Sequence, residues 1–212
     1  DIDVVPLFIR FGEVEYIDRK ELSVPDFYKE MSSNEHLPQT AAPAPGSFGE
    51  IFTNRLNAGA ESIVCINLSS ELSATMESAQ AGAQESGGDV RIVDSRSVSA
   101  GQGTIVLAAA HAAKNGASAD EIVSLISDLS SRTRVYGALD TLENLKKGGR
   151  VGNAAALFGS VLSIKPLIDI SSGVVEEAGK QRTMKKALAW LVETIKEHGD
   201  NLESLSIAHA MA

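Results

Sequence analysis

Cysteine is almost absent. Cys65 is the only one, and it lies inside an apolar run. A single thiol excludes a disulfide framework and a cysteine-based metal site; it reads first as a small core residue, in keeping with a reducing cytoplasm. Long apolar runs are missing too. None approaches the ~20 residues of a membrane-spanning helix, so no stable membrane insertion is expected. No secretory signal is visible, and the true N-terminus is expected upstream of Asp1. Positive charge is scarce: 19 Lys and Arg stand against 28 Asp and Glu, a formal net charge of −9. Nucleic acids and anionic membrane surfaces attract basic fields, so both are disfavoured as partners.

Catalytic signatures are equally sparse. The chain has no G-x-S-x-G elbow, no G-x-G-x-x-G and no Walker A motif. His36, His111, His198 and His209 are scattered outside any triad context. No His, Asp or Glu set has metal-ligand spacing. No catalytic residue, metal or cofactor is therefore expected.

What is present is an ordinary globular composition, 43% apolar over 212 residues, enough for one large domain or two small ones. The stretch 3–18 turns near Gly12 and suggests a hairpin or two short strands. Residues 23–33 begin with Ser23 and Pro25 and read as a short helix. Three prolines make 34–47 an extended loop. Helix is predicted at 48–59, closed by Gly59. Then the pattern becomes regular. "ESIVCINL" and "DVRIVDS" (89–95) are strands, each followed by a hydroxyl-rich loop and a helix (77–86 and 103–116). Residues 118–131 form a helix with Ser118 and Glu121 at capping-box spacing. Strands apolar on both faces, alternating with helices, predict a parallel α/β layer structure. After about residue 132 the texture changes. A strand at 132–140, a short helix stopped by Gly148 and Gly149, an apolar helix over 154–162, a strand–turn–strand at 163–179 turning at "SSG", and an amphipathic helix at 181–199 are expected. Residues 204–212 are expected to begin another strand, on which the chain would look truncated.

Three loops share a character: "PQTAAPAPGS" (38–47), "SSELSAT" (69–75) and "DSRSVSAGQGT" (94–104). All are rich in hydroxyls or small residues, and in parallel sheets ligands bind where loops leave the carboxyl ends of strands. Helix N-termini with hydroxyl donors suit an anion. Apart from Arg96 these loops carry little positive charge, so a monocarboxylate suits them better than a phosphate dianion. The plainer alternative is that Ser70, Ser73 and Ser99 only cap helices. "KKGGR" (146–150) would suit phosphate, against the plainer reading of a basic helix end with a glycine stop.

Taken together, "PQTAAPAPGSF", "INLSSELSATMESA", "VRIVDSRSVSAGQG", "LENLKKGGRV", "SIKPLI" and "KQRTMKKAL", in this order, resemble the DegV family of bacterial fatty-acid-binding proteins over essentially the whole chain. The most specific pieces are S-S-x-L-S, D-S-x-x-x-S-x-G-x-G and K-x-G-G-R. The resemblance implies an α/β fold of two α/β domains, here 1–131 and 132–212 with the second incomplete. It implies a long-chain fatty acid bound between them, its carboxylate held by hydroxyls. By position, Thr40 matches the threonine of the family's P-x-T-S-x-P loop, and Ser69, Ser70 and Ser73 match the S-S-x-L-S hydroxyls. Arg182 matches the arginine of a K-x-R segment near the carboxylate, and Gly101 and Gly103 match the tight loop at the site's edge. The implied role is a cytoplasmic carrier without catalysis of its own, presenting the acyl group to a separate fatty acid kinase that makes an acyl phosphate for phospholipid synthesis. An enzyme acting on acyl or phosphoryl groups through the same loops is the alternative, and a nucleotide-binding module is a third. The chain departs from the family pattern at Ala41, where serine is usual, and at Ala74 and Met76, where glycine and tyrosine are usual. It also lacks the family's opening T-D-S loop and late H-x-G-P-G loop.

Overall fold

A computed structural model describes residues 2–157 and 164–210, with Ala156 and Leu157 as backbone only. The chain begins with the expected hairpin: β1 (Phe8–Phe11) pairs antiparallel with β2 (Val14–Ile17), and Gly12 takes the positive φ of +59° that the tight turn needs. Helix α1 (Val24–Ser33) follows. Its first turn is closed by the Ser23 hydroxyl, which accepts from Asp26 N, and Pro25 occupies the first turn, where no intrahelical donor is lost. The Pro-rich stretch read as loop contains a short strand, β3 (Gln39–Ala41), which pairs with the free edge of β1 at Ile9 and Thr40. Ile9, Phe11 and Leu22 form the core of this unit with Tyr16, Phe27 and Met31.

The centre of the molecule is a three-layer sandwich. Strands β4 (Ser62–Asn67) and β5 (Asp89–Asp94) run parallel, in register from Ser62 with Asp89 to Asn67 with Asp94. Alternate side chains leave the two faces. Ile63, Cys65, Val90 and Ile92 pack under α2 (Pro45–Asn57) and α3 (Thr75–Ser86), around Phe48, Phe52 and Ala79. Val64, Ile66 and Val93 pack against α4 (Ser99–Lys114) and α5 (Ala119–Arg132), around Ile105, Ala109, Ile122 and Ile126. Burial on both faces is why β4 reads as a nearly continuous apolar run and β5 as one interrupted only by Arg91. The capping box of α5 is formed: Glu121 N donates to the Ser118 hydroxyl, and Ser118 N donates to the Glu121 carboxylate. Burial pushes the Cys65 thiol up to about 11, so it stays protonated and behaves as core.

Past residue 132 the sheet is antiparallel, in the order β6 (Tyr136–Ala138), β7 (Lys165–Asp169), β8 (Glu176–Gln181). The "SSG" turn at 171–173 joins β7 to β8 as expected, with Gly173 at φ +94°. Helix α6 (Glu143–Lys147) is short, and α7 (Met184–His198) packs on the sheet, where Trp190 meets Tyr136 edge-on with centroids 5.8 Å apart. The other core here joins Leu142, Ala154, Ile168 and Val175.

Two expectations differ from what is found. Residues 152–157 form a 3-10 turn where an apolar helix over 154–162 was expected; the rest of that helix lies outside the described residues. The expected strand at 204–212 is not formed over 204–210. That stretch runs extended and exposed, tethered by the Glu203–Arg132 ion pair at 2.6 Å, and no described strand lies beside it to supply a ladder.

Candidate functional site

Four chain segments meet at a cavity of about 160 Å³, lined by Leu7, Thr40, Ala41, Ala42, Leu68, Leu72, Ser73, Ala74 and Arg150. Each is placed by the fold. Thr40 stands on edge strand β3, Ser73 and Ala74 in the loop that leaves the carboxyl end of β4, and Arg150 just after α6. The cavity is small. A drug-sized ligand takes ~300–1,000 Å³, so this one suits a polar head group and the first methylenes of a longer tail.

Its chemistry favours an anion. Ala74 is both a wall of the cavity and the N-cap of α3, and it supplies no side-chain cap. The twelve-residue helix therefore directs its partial positive end towards the cavity. Ser73 Oγ lies 2.7 Å from Thr75 Oγ1 and accepts from Thr75 N at 3.3 Å. Either hydroxyl of that pair can be the donor; when Thr75 donates, Ser73 accepts twice and its own proton is left for a guest. The Thr40 hydroxyl has no partner among the described residues. Arg150 donates to Leu72 O at 3.3 Å and to Gly148 O at 2.5 Å, and it pairs with no carboxylate among the described residues. Among the described residues, no histidine, cysteine, aspartate or glutamate lines the cavity.

The other hydroxyls of the loop face elsewhere. Ser69 is fully buried; its Oγ donates to Gly173 O at 2.6 Å and accepts from Glu71 N at 3.3 Å, while its N–H donates to Ser97 O. Ser70 donates through both N and Oγ to Asp94 Oδ2, at 3.3 and 2.6 Å, and the other oxygen of Asp94 accepts from Arg96 N. Arg96 Nη2 donates to Ser172 O at 2.7 Å. Leu72 packs into the core under the β6–β8 sheet. The loop is thus clamped from both sides, by the β5 loop and by the "SSG" turn. Ser69 and Ser70, expected in the site with Ser73, are engaged in that clamp and do not line the cavity.

The remaining expected residues also lie apart. A Cβ on Gly101 would come 2.3 Å from Ser97 Oγ and 2.5 Å from Val135 Cγ2, so this glycine serves the packing of α4 against residues 133–135. Around Gly103 there is open space, and Arg182 is exposed beyond the end of β8, outside the cavity. Of the seven expected residues, Thr40 and Ser73 are brought together. Arg150 was visible in "KKGGR" but had been read first as a helix end.

The described residues contain no helix long and apolar enough to cross a membrane, and no group of three or more His, Cys, Asp or Glu placed to hold a metal. What the fold and cavity define is an α/β protein with a hydroxyl- and arginine-lined pocket where loops leave a parallel sheet.

Comparison with known proteins takes this further. The family model described as "Uncharacterised protein, DegV family" matches residues 1–212. A DegV domain-containing protein of Listeria monocytogenes is 34% identical over 211 residues, which cover 99% of this chain and 75% of the relative. Among solved structures, a DegV family protein from Thermus thermophilus, described by its fatty acid binding, matches with a TM-score of 0.85 at 30% identity, covering 92% of this chain and 70% of that one. DegV of Bacillus subtilis, described as a fatty acid binding protein, matches with a TM-score of 0.84 at 32% identity, over 93% and 70%. The chain belongs to the DegV family.

Proposed function

We propose that this protein binds a long-chain fatty acid, with the carboxylate in the cavity formed by Thr40, Ser73 and Arg150. The observation that carries this reading is the pairing of these three groups with Leu7, Leu68 and Leu72 in one small pocket at the start of α3. The polar groups suit a carboxylate and the leucines suit the methylenes that follow it. Each buried methylene contributes ~0.8 kcal/mol, so the alkyl chain supplies affinity and the head group supplies orientation. The solved relatives from Thermus thermophilus and Bacillus subtilis, both described as binding fatty acid, support the choice of ligand.

In this reading the ligand lies between two α/β units divided near residues 131 and 132, and Ser69, Ser70 and Asp94 brace the loop that presents Ser73. The protein is a carrier and not an enzyme. Among the described residues, the cavity has no side chain to act as base or nucleophile beyond hydroxyls, and an unactivated carboxylate is a poor electrophile. Conversion to an acyl phosphate falls to a separate kinase, with the carrier presenting the carboxylate.

Mass spectrometry of small molecules extracted from the purified protein tests the reading. A long-chain fatty acid in near-stoichiometric amount is the expected result. A nucleotide, or an extract free of lipid from protein that also fails to bind added fatty acid, would overturn it.

A further inference from the structure

Thr40 and Ser73 reach the cavity from distant parts of the chain, yet each is tied to the start of a helix by a short stretch. Between Thr40 and α2 stand only Ala41, Ala42, Pro43 and Ala44; Pro43 is fully buried and Pro45 opens the helix. Prolines hold φ fixed, so this link is stiff. Between Ser73 and α3 stands Ala74 alone. The separation of the two hydroxyls therefore follows the separation of the two helices.

That separation is set by glycine. A Cβ on Gly82 of α3 would lie 2.5 Å from Pro45 O, 2.8 Å from Phe48 Cβ and 2.9 Å from Gly49 N. All three belong to the first turns of α2 and none is the flexible end of a side chain. From the other helix, a Cβ on Gly49 would lie 3.3 Å from Gly82 O, a tight but smaller conflict. Both glycines are buried, and neither lines the cavity. Packed helices ordinarily stand ~8–10 Å apart, and the close end of such packing needs small residues at the crossing.

We propose that Gly82, with Gly49 opposite it, is a positioning residue for the anion pocket. It sets how closely α2 approaches α3 and so holds the Thr40 and Ser73 hydroxyls at the spacing a single carboxylate can bridge. The ligand half of this inference rests on the fatty-acid reading of the pocket; the geometric half does not.

The test compares Gly82→Ala, Gly49→Ala and Gly46→Ala. Gly46 lies in the same helix with nothing near it, so its variant is the control. Two quantities are read for each: the Thr40 Oγ1 to Ser73 Oγ separation in a crystal structure, and the ratio of Kd for palmitic acid to Kd for hexadecanol. Loss of folded protein lowers both affinities alike and leaves the ratio unchanged; displaced hydroxyls weaken the acid selectively. A preorganised site tolerates ~0.5 Å of displacement, and the Gly82→Ala conflict exceeds that. The expected result is a widened separation and about a tenfold loss of acid preference in Gly82→Ala, a smaller loss in Gly49→Ala and none in Gly46→Ala. If Gly82→Ala does not fold, Gly49→Ala decides. A folded variant at either position that keeps the wild-type separation and the wild-type ratio overturns the proposal. A wild-type protein that does not prefer the acid would overturn the fatty-acid reading instead, and the hydroxyl separation would still decide the geometric claim.

Discussion

Ser69 and Ser73 look alike in the sequence, but Ser69 is bonded into the fold and Ser73 lines the cavity, and the proposed function gives them opposite work. Ser69→Ala removes a fully buried hydroxyl and strands two groups, Gly173 O and Glu71 N, that it satisfies at 2.6 and 3.3 Å. Gly173 is buried and Glu71 exposed, so the cost comes mainly from the Gly173 carbonyl, and leaving a buried group unsatisfied costs about 1–3 kcal/mol. At ~2–4 °C per kcal/mol for a chain of this size, the midpoint of thermal unfolding should fall by about 2–12 °C. Ser73→Ala instead removes a donor from the cavity wall. A hydrogen bond to a charged group is worth about 1.5–3 kcal/mol, which converts to about a 10- to 150-fold weaker Kd for a fatty acid. Ser73 is only partly buried, so its substitution should move the unfolding midpoint less than that of Ser69. The assay is a titration with a fluorescent fatty acid beside thermal unfolding of delipidated protein, because bound ligand raises the apparent midpoint. The two variants should rank in opposite order in the two measurements. If Ser69→Ala weakens binding tenfold or more while its unfolding midpoint stays at the wild-type value, the Ser69 hydroxyl reaches the ligand and its assignment to the clamp is refuted.

Arg150→Gln should weaken fatty acid binding about tenfold, the low end of the charge-assisted range because this arginine is exposed, and should flatten the salt dependence of the Kd; an unchanged Kd at low salt would remove Arg150 from the site. Stability should fall on the acid side. Hydrogen bonding to Arg55 holds Asp3 below its ordinary value of 3.8, hydrogen bonding to Arg91 does the same for Asp89, and the Ser118 backbone N–H holds Glu121 below 4.5. Each folded-state value lies below the unfolded one, so the unfolded chain takes up more protons. The stabilisation is present above the ordinary values and is lost as the pH falls through the lowered ones. All three carboxylates are exposed, so the slope should be shallow. Urea midpoints measured from pH 6 down to pH 3 check this, and a midpoint that rises with acidification would contradict it.

The parallel core was legible because its signal is local. Ile63 through Ile66 are apolar at every position and Val90, Ile92 and Val93 join them, interrupted only by Arg91, because both faces are covered, and Ser118 with Glu121 announces a helix start on its own. Strand β3 was not legible. Three exposed residues among prolines become a strand only because β1 offers them an open edge some thirty residues away. The stretch at 204–210 failed in the opposite sense: apolar alternation was present, but a ladder partner is a property of the rest of the fold. In the site, sequence marks which residues carry hydroxyls and not which way they face. Ser69, Ser70 and Ser73 occupy one turn of loop, and only contacts with Gly173, Asp94 and Thr75 separate them. In the sequence Arg150 fits a basic helix end as well as an anion site, and Arg182 is marked only by the family resemblance; tertiary placement alone puts the first in the cavity wall and the second outside it.

The bond from Ser69 to Gly173 also dates the pocket. Its two ends are 104 residues apart. Chains emerge from the ribosome at ~5–20 residues per second, so ~5–20 s pass between synthesis of the loop and synthesis of the turn that clamps it. During that interval the helices and strands around β4 and β5 can fold, since their contacts are nearby in the chain, while the segment bearing Ser73 still lacks its brace. On the fatty-acid reading, a nascent chain therefore lacks the braced loop on which the finished one would hold its ligand. On that reading, loading belongs after synthesis of the "SSG" turn.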